Sequence, residues 1–282
     1  MFGDLWGKRA RLSKLFGLLG LKAEKHVGYL AKFILTEIYD GGKKEDKFFL
    51  EKMRGYTARR IWSKSSLTGL PIYIIISDFS EDKKDGGDQA GDSEQYVMAM
   101  LKCGDLMLPY DCAKYEKISD SKIDIAKTML ESLPNPPGEG FVLADSWYSC
   151  EAILKMAKQI GFDYIGSLKS NRKIFPKSHR RDGIQITEFV KTLKMSDLSL
   201  SQLDGEDCYT YVYSGKIKGV SKVKIVLRWP KDAPFEEESQ RIYLSTSREL
   251  TTEQLTGHFL SASIPGATPM PQPKALLRNL AE

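Results

Sequence analysis

The chain has 282 residues, 41% hydrophobic and 28% charged, enough for one large domain or a domain plus a smaller helical unit. A net charge of +5 suits a polyanionic partner without requiring one, and four cysteines with no C-x-x-C pair beside three dispersed histidines argue against a zinc site. Scattered thiols and no signal-peptide pattern predict a reducing cytoplasm, and the apolar run Leu15 to Leu21 is far short of the ~20 residues that span a bilayer, so no membrane segment is expected.

Residues 1–70 read as a helical, basic region. Lys8, Arg9, Arg11, Lys14, Lys22 and Lys25 surround an apolar run, and Arg54, Arg59, Arg60 and Lys64 follow. Such a face either meets phosphates or is simply solvated. From Pro71 the pattern changes. Ile72-Tyr-Ile-Ile-Ile76 is the β-branched run of a strand buried on both faces, ending at Ser77-Asp78. The acidic, glycine-rich stretch 81–94 predicts an exposed loop without the register of a calcium loop. Tyr96 to Leu101 and Asp105 to Pro109 predict a hairpin turning at Cys103-Gly104, and 122–133 a helix.

After the rigid turn at 134–140, Phe141-Val-Leu-Ala-Asp145 reads as a buried strand that delivers a carboxylate to its C-terminal end. The helix at 151–160 follows, with Gly161 as its C-cap residue, then the strand Tyr164 to Leu168. Tyr209 to Tyr213 and Val223 to Leu227 alternate and pair through Gly215 to Gly219, and Arg241 to Ser245 is one more strand. A helix begins near Glu249, capped by Thr251 or Thr252. Residues 260–282 then carry four prolines within nine positions and read as a disordered tail. This order predicts the α/β class, a mixed sheet with helices against it.

Two apolar runs therefore end in acids, Asp78 and Asp145. Asp145 has two open readings, a cap for the helix behind it and a metal ligand. Carboxylates that converge bind Mg²⁺, and a pair of such ions clamps both oxygens of an in-line phosphoryl displacement. Lys169-Ser-Asn-Arg-Lys173, with Lys177 to Arg181 behind it, is either a solvated loop or a set of cations and amides that grips a phosphodiester backbone.

The runs Ala144-Asp-Ser-Trp-Tyr-Ser149 and Gly166-Ser-Leu-Lys-Ser-Asn-Arg172, with the helix between them, resemble the core of insertion-sequence transposases with an Asp-Asp-Glu catalytic domain. Weaker resemblance extends over about 70 to 258. It implies an RNase H-like mixed sheet flanked by helices over 71–259, with a β-rich insertion around 205–230. It also implies catalytic and metal-binding roles for Asp145 and Asp78, and DNA contacts from Lys169, Asn171, Arg172 and Lys173. The expected cofactor is Mg²⁺, with Mn²⁺ as a substitute. The expected partner is double-stranded DNA at the ends of a mobile element, held by a homodimer, in a bacterial cytoplasm close to the nucleoid.

The chain departs from the family pattern twice. Ser77 stands where the first acid belongs, and Asp78 is one residue out of register, which turns a strand side chain to the other face. After Phe259 no residue matches the final glutamate, as in a frameshifted or truncated frame. The expectation is a transposase by descent with degraded activity, or a non-catalytic DNA-binding remnant. An unrelated RNase H-like nuclease would need a third acid from Asp204, Glu206 or Asp207, placed by the sequence in a polar turn of the late hairpin.

Overall fold

A computed structural model describes residues 44–81, 94–119, 121–203, 205–236 and 239–261. The basic segment up to residue 43, most of the 81–94 loop, Asp204 and the proline-rich tail from 262 lie outside the described residues. Among the described residues no helix is long and apolar enough to cross a membrane. Two compact units are formed, one up to Met129 and one from Leu130 to residue 261.

The first unit is a helix on a three-stranded antiparallel meander. Helix α1 (Lys44–Thr68) buries Thr57, Ala58, Ile61 and Ser65, residues spaced at three and four, and lies against the sheet. It stops where Gly69 takes φ +68° and donates its N–H to Ser65 O at 2.8 Å, with Pro71 beyond. Strands β1 (Ile72–Glu81), β2 (Glu94–Cys103) and β3 (Leu106–Tyr115) follow, turning at Gly104 (φ +59°) as the sequence predicts.

Ile72 to Ile76 are buried on both faces, also as expected. The strand does not end at Ser77-Asp78, however. It continues to Glu81, because β2 supplies backbone partners as far as Glu81↔Glu94, so Asp78 is a strand-interior residue opposite Val97. Pro109 sits within β3 at a register shift, where a missing N–H is tolerated. Arg54 of α1 reaches the buried Asp111 of β3 at 2.5 Å, and Thr57 Oγ1 donates to Pro109 O at 3.0 Å.

Helix α2 (Lys122–Glu131) carries the chain out of this unit. The second unit is built on strands β4 (Gly140–Ala144), β5 (Asp163–Ser167), β6 (Lys173–Ile174), β7 (Ile184–Gln185), β8 (Ser199–Leu203), β9 (Glu206–Ile217), β10 (Val220–Pro230) and β11 (Arg241–Ser245). Their order is β4-β5-β11-β10-β9-β6-β7, with β8 also on β9. Only β4 and β5 run parallel; the other pairs are antiparallel. The α/β class with a mixed, mostly antiparallel sheet is thus present.

Helix α3 (Glu151–Gln159) crosses between β4 and β5 and buries Ile153, Leu154, Met156 and Ala157. Gly161 takes φ +79° just after it. Helix α4 (Ile186–Val190) is short, and α5 (Thr252–Ser261) starts later than the sequence suggested. Thr251 is its cap: Gln254 N–H donates to Thr251 Oγ1 at 3.2 Å and Thr251 N–H to Gln254 Oε1 at 2.8 Å. Strands β9 and β10 pair along most of their length, Tyr213 opposite Ile225, and reverse at Gly219 (φ +78°).

Candidate nucleic-acid interface

Parallel pairing of β4 with β5, Ala144 opposite Gly166, brings the residues after both strands to one edge of the second unit's sheet. Asp145 follows β4 directly and is half-buried. Its Oδ1 accepts the Trp147 N–H at 2.7 Å, a side-chain-to-backbone bond two residues on that closes a tight turn. Asp145 does not cap α3. That position is Cys150, whose side chain makes no capping bond.

The turn is held from beneath. Ser149 Oγ donates to Ser167 O at 2.5 Å, lies 3.5 Å from Asp145 O, and meets the Tyr164 hydroxyl at 2.9 Å. Tyr164 reaches Ser149 by lying along its own strand over Gly166; a Cβ there would stand 2.6 Å from the phenol oxygen and 2.7 Å from Ala144 O. Burial pushes the Tyr164 phenol up, so it stays protonated and available as a donor. Tyr213 and Gly215 repeat the device on β9: Tyr213 Oη would be 2.2 Å from a Cβ at Gly215, accepts the Phe175 N–H at 3.1 Å, and donates to Lys216 O at 3.0 Å.

The cationic segment begins after β5. Lys169, Asn171, Arg172 and Lys173 all expose their side chains, as do Lys177, Arg180 and Arg181. Their backbone is well anchored. Arg172 N–H donates to Lys169 O (3.1 Å), Arg172 O accepts from Ile186 N–H (3.0 Å), and Ser170 O accepts from Thr187 N–H (3.2 Å). Lys169 Nζ stands 4.7 Å from the centre of the Trp147 ring, and this cation–π contact links the basic loop to the Asp145 turn.

The sequence reading missed one member of this face. Lys216 on β9 places its Nζ 4.5 Å from the Phe175 ring centre, so the far end of the late hairpin adds a cation beside the loop. Lys-rich spacing at 216, 218, 222 and 224 was visible in the sequence, but nothing in it showed which loop those residues would meet.

Asp78 has a different setting. It belongs to the first unit, where its Oδ2 pairs with Lys122 Nζ at 2.5 Å, and Lys122 also stands 5.1 Å from the Tyr115 ring centre. Glu206 and Asp207 open β9, opposite β8, and so do not sit in the turn between β9 and β10. Glu206 pairs with the buried Arg228 at 2.7 Å and Asp207 with Lys231 at 3.1 Å.

Among the described residues no three His, Cys, Asp or Glu side chains form a metal-binding cluster. One carboxylate in a turn and another in an ion pair do not amount to the oxygen cage that Mg²⁺ needs. The four thiols are unlinked: Cys103, Cys112 and Cys208 are buried and Cys150 half-buried.

No protein-family model and no curated protein matches the chain. Among solved structures, the NurA nuclease from Sulfolobus solfataricus aligns over 83% of this chain and 89% of its own at 10% identity, with a TM-score of 0.30. A TM-score that low carries no inference about fold or activity.

Proposed function

We propose that this chain is an Asp-Asp-Glu transposase by descent, with an RNase H-like core, that holds duplex DNA on the 169–181 face and does not cut it. The observation that carries the reading is the exposed run of cations at 169–181, beside the Asp145 turn at the C-terminal edge of β4 and β5. Exposed Lys and Arg on an anchored backbone supply charge at fixed spacing, which a phosphodiester backbone matches. Asn171 adds a neutral donor and acceptor in the same turn. A non-catalytic remnant is the form of this reading favoured by Asp78, whose carboxylate is occupied by Lys122.

Binding is expected to tolerate sequence and to weaken steeply with salt, since each neutralised phosphate releases condensed counterion at a slope of about −0.9 in log K against log salt. Substituting Lys169, Arg172 and Lys173 together by Ala should shrink that slope by roughly 2–3, because three such contacts are removed. Titrations of a labelled duplex between low and moderate salt measure both. No binding at low salt, or a slope untouched by the triple substitution, rules the reading out.

Strand cleavage is expected to be absent. Purified protein incubated with Mg²⁺ or Mn²⁺ and end-bearing DNA should leave the duplex intact, since a hydrated ion on one carboxylate gives little charge stabilisation. Metal-dependent nicks that vanish in Asp145→Ala would reverse that part of the proposal.

A further inference from the structure

Trp147 is 55% exposed although it sits within a turn braced by Asp145 and Ser149. Of the other described tryptophans, Trp229 is buried and Trp62 half-buried. Packing does not require an indole in this position. Its backbone N–H serves the turn, while its ring projects into solvent with the Lys169 ammonium 4.7 Å from its centre. An exposed aromatic beside a cation is the arrangement that grips a nucleobase, the ring stacking on the base while nearby cations take its phosphates. Asp145, two residues away, and Ser149 hold the ring's backbone still, so the platform is preformed.

We propose that Trp147 is a stacking platform for an unpaired DNA base, with Lys169 and Arg172 holding the adjacent phosphates. The inference rests on the DNA-binding reading above and narrows its ligand. Bases inside a duplex are stacked on each other and present no face to a protein ring. The preferred ligand is therefore DNA with an unpaired end, such as a short single-stranded overhang, over a blunt duplex.

The test compares three labelled duplexes at one salt concentration: blunt, with a four-nucleotide overhang, and with the same overhang built of abasic sugars. The two overhangs carry equal phosphate charge, so their difference isolates the bases. The full chain should bind the base-bearing overhang roughly fivefold or more tighter than the abasic one, the range that base–aromatic stacking supports. Trp147→Ala should erase that difference, and Trp147→Phe should keep part of it. The phenylalanine variant also guards against a folding artefact, and near-ultraviolet dichroism of the buried Trp229 reports the fold of both.

Equal affinity of the wild-type chain for the two overhangs, or a preference that survives in Trp147→Ala, overturns the platform. If blunt duplex is still bound with a steep salt slope in that case, the DNA-binding reading stands alone. Failure to bind any of the three at low salt removes both.

Discussion

Gly166→Ala should destabilise the second unit by about 3 kcal/mol, the upper part of the range for overpacking a well-filled core. The new methyl would lie 2.6 Å from Tyr164 Oη, 2.8 Å from Tyr164 Cε1 and 2.7 Å from Ala144 O. The first two belong to a fully buried ring and the third to the backbone of the paired strand, so neither neighbour can give way cheaply. If the ring swings aside, its bond to Ser149 is lost as well, which adds about 1 kcal/mol. Urea unfolding followed by tryptophan fluorescence measures the change. Gly138→Ala is the control, since nothing lies within 4 Å of a Cβ there. A Gly166→Ala variant within about 0.5 kcal/mol of wild type, the range of neutral surface changes, would mean that Tyr164 does not lie over the glycine as described.

Arg54→Met should weaken the first unit by about 3 kcal/mol near neutral pH, the lower end for breaking a buried ion pair because the Arg54 side chain keeps 28% of its surface exposed. What remains is the Asp111 carboxylate, 2% exposed as a residue, with the Cys112 N–H at 2.9 Å as a remaining partner. The pH dependence follows from the direction of its shift. Burial already raises Asp111 above the ordinary 3.8, while Arg54 opposes that rise, so removing Arg54 raises it further.

A carboxyl raised in the folded state binds its proton there more readily than in the unfolded chain. Its destabilising effect therefore fades as pH falls through the raised value towards 3.8, and grows as pH rises through it. The loss in Arg54→Met should accordingly be larger at pH 7 than at pH 4.5, and Arg54→Met/Asp111→Leu should recover much of it by leaving an apolar contact in place of a lone charge. Equal losses at both pH values would show that Asp111 stays charged without its partner.

The strands that matter most for position were legible because they are apolar and bounded by glycine or acid. Phe141 to Ala144, Tyr164 to Ser167 and the β9–β10 pair needed little more than alternation and turn residues. The far end of β1 was not legible, since Ser77, Asp78 and Ser80 look like a strand terminus until β2 is seen to pair with them. Strand β8 reads Ser-Leu-Ser-Gln-Leu, too polar to be recognised without β9 beside it.

At the site, the sequence posed Asp145 as cap or ligand. A third role, bracing its own turn through the Trp147 N–H, depends on backbone angles that composition cannot reveal. The partner of Asp78 lies 44 positions along the chain, and only the folded first unit brings Lys122 to it.

The 169–173 segment is secured by main-chain bonds to residues 186 and 187, while the side chains of Lys169, Asn171, Arg172 and Lys173 are exposed. Scaffold and lettering are thereby separable. Residues at these places can change while the main-chain bonds that shape the turn persist, although Lys169 also meets the Trp147 ring and Lys173 Nζ donates to Asp182 O at 3.3 Å. A lineage could therefore rewrite what this edge recognises by point changes alone, keeping the frame it inherited.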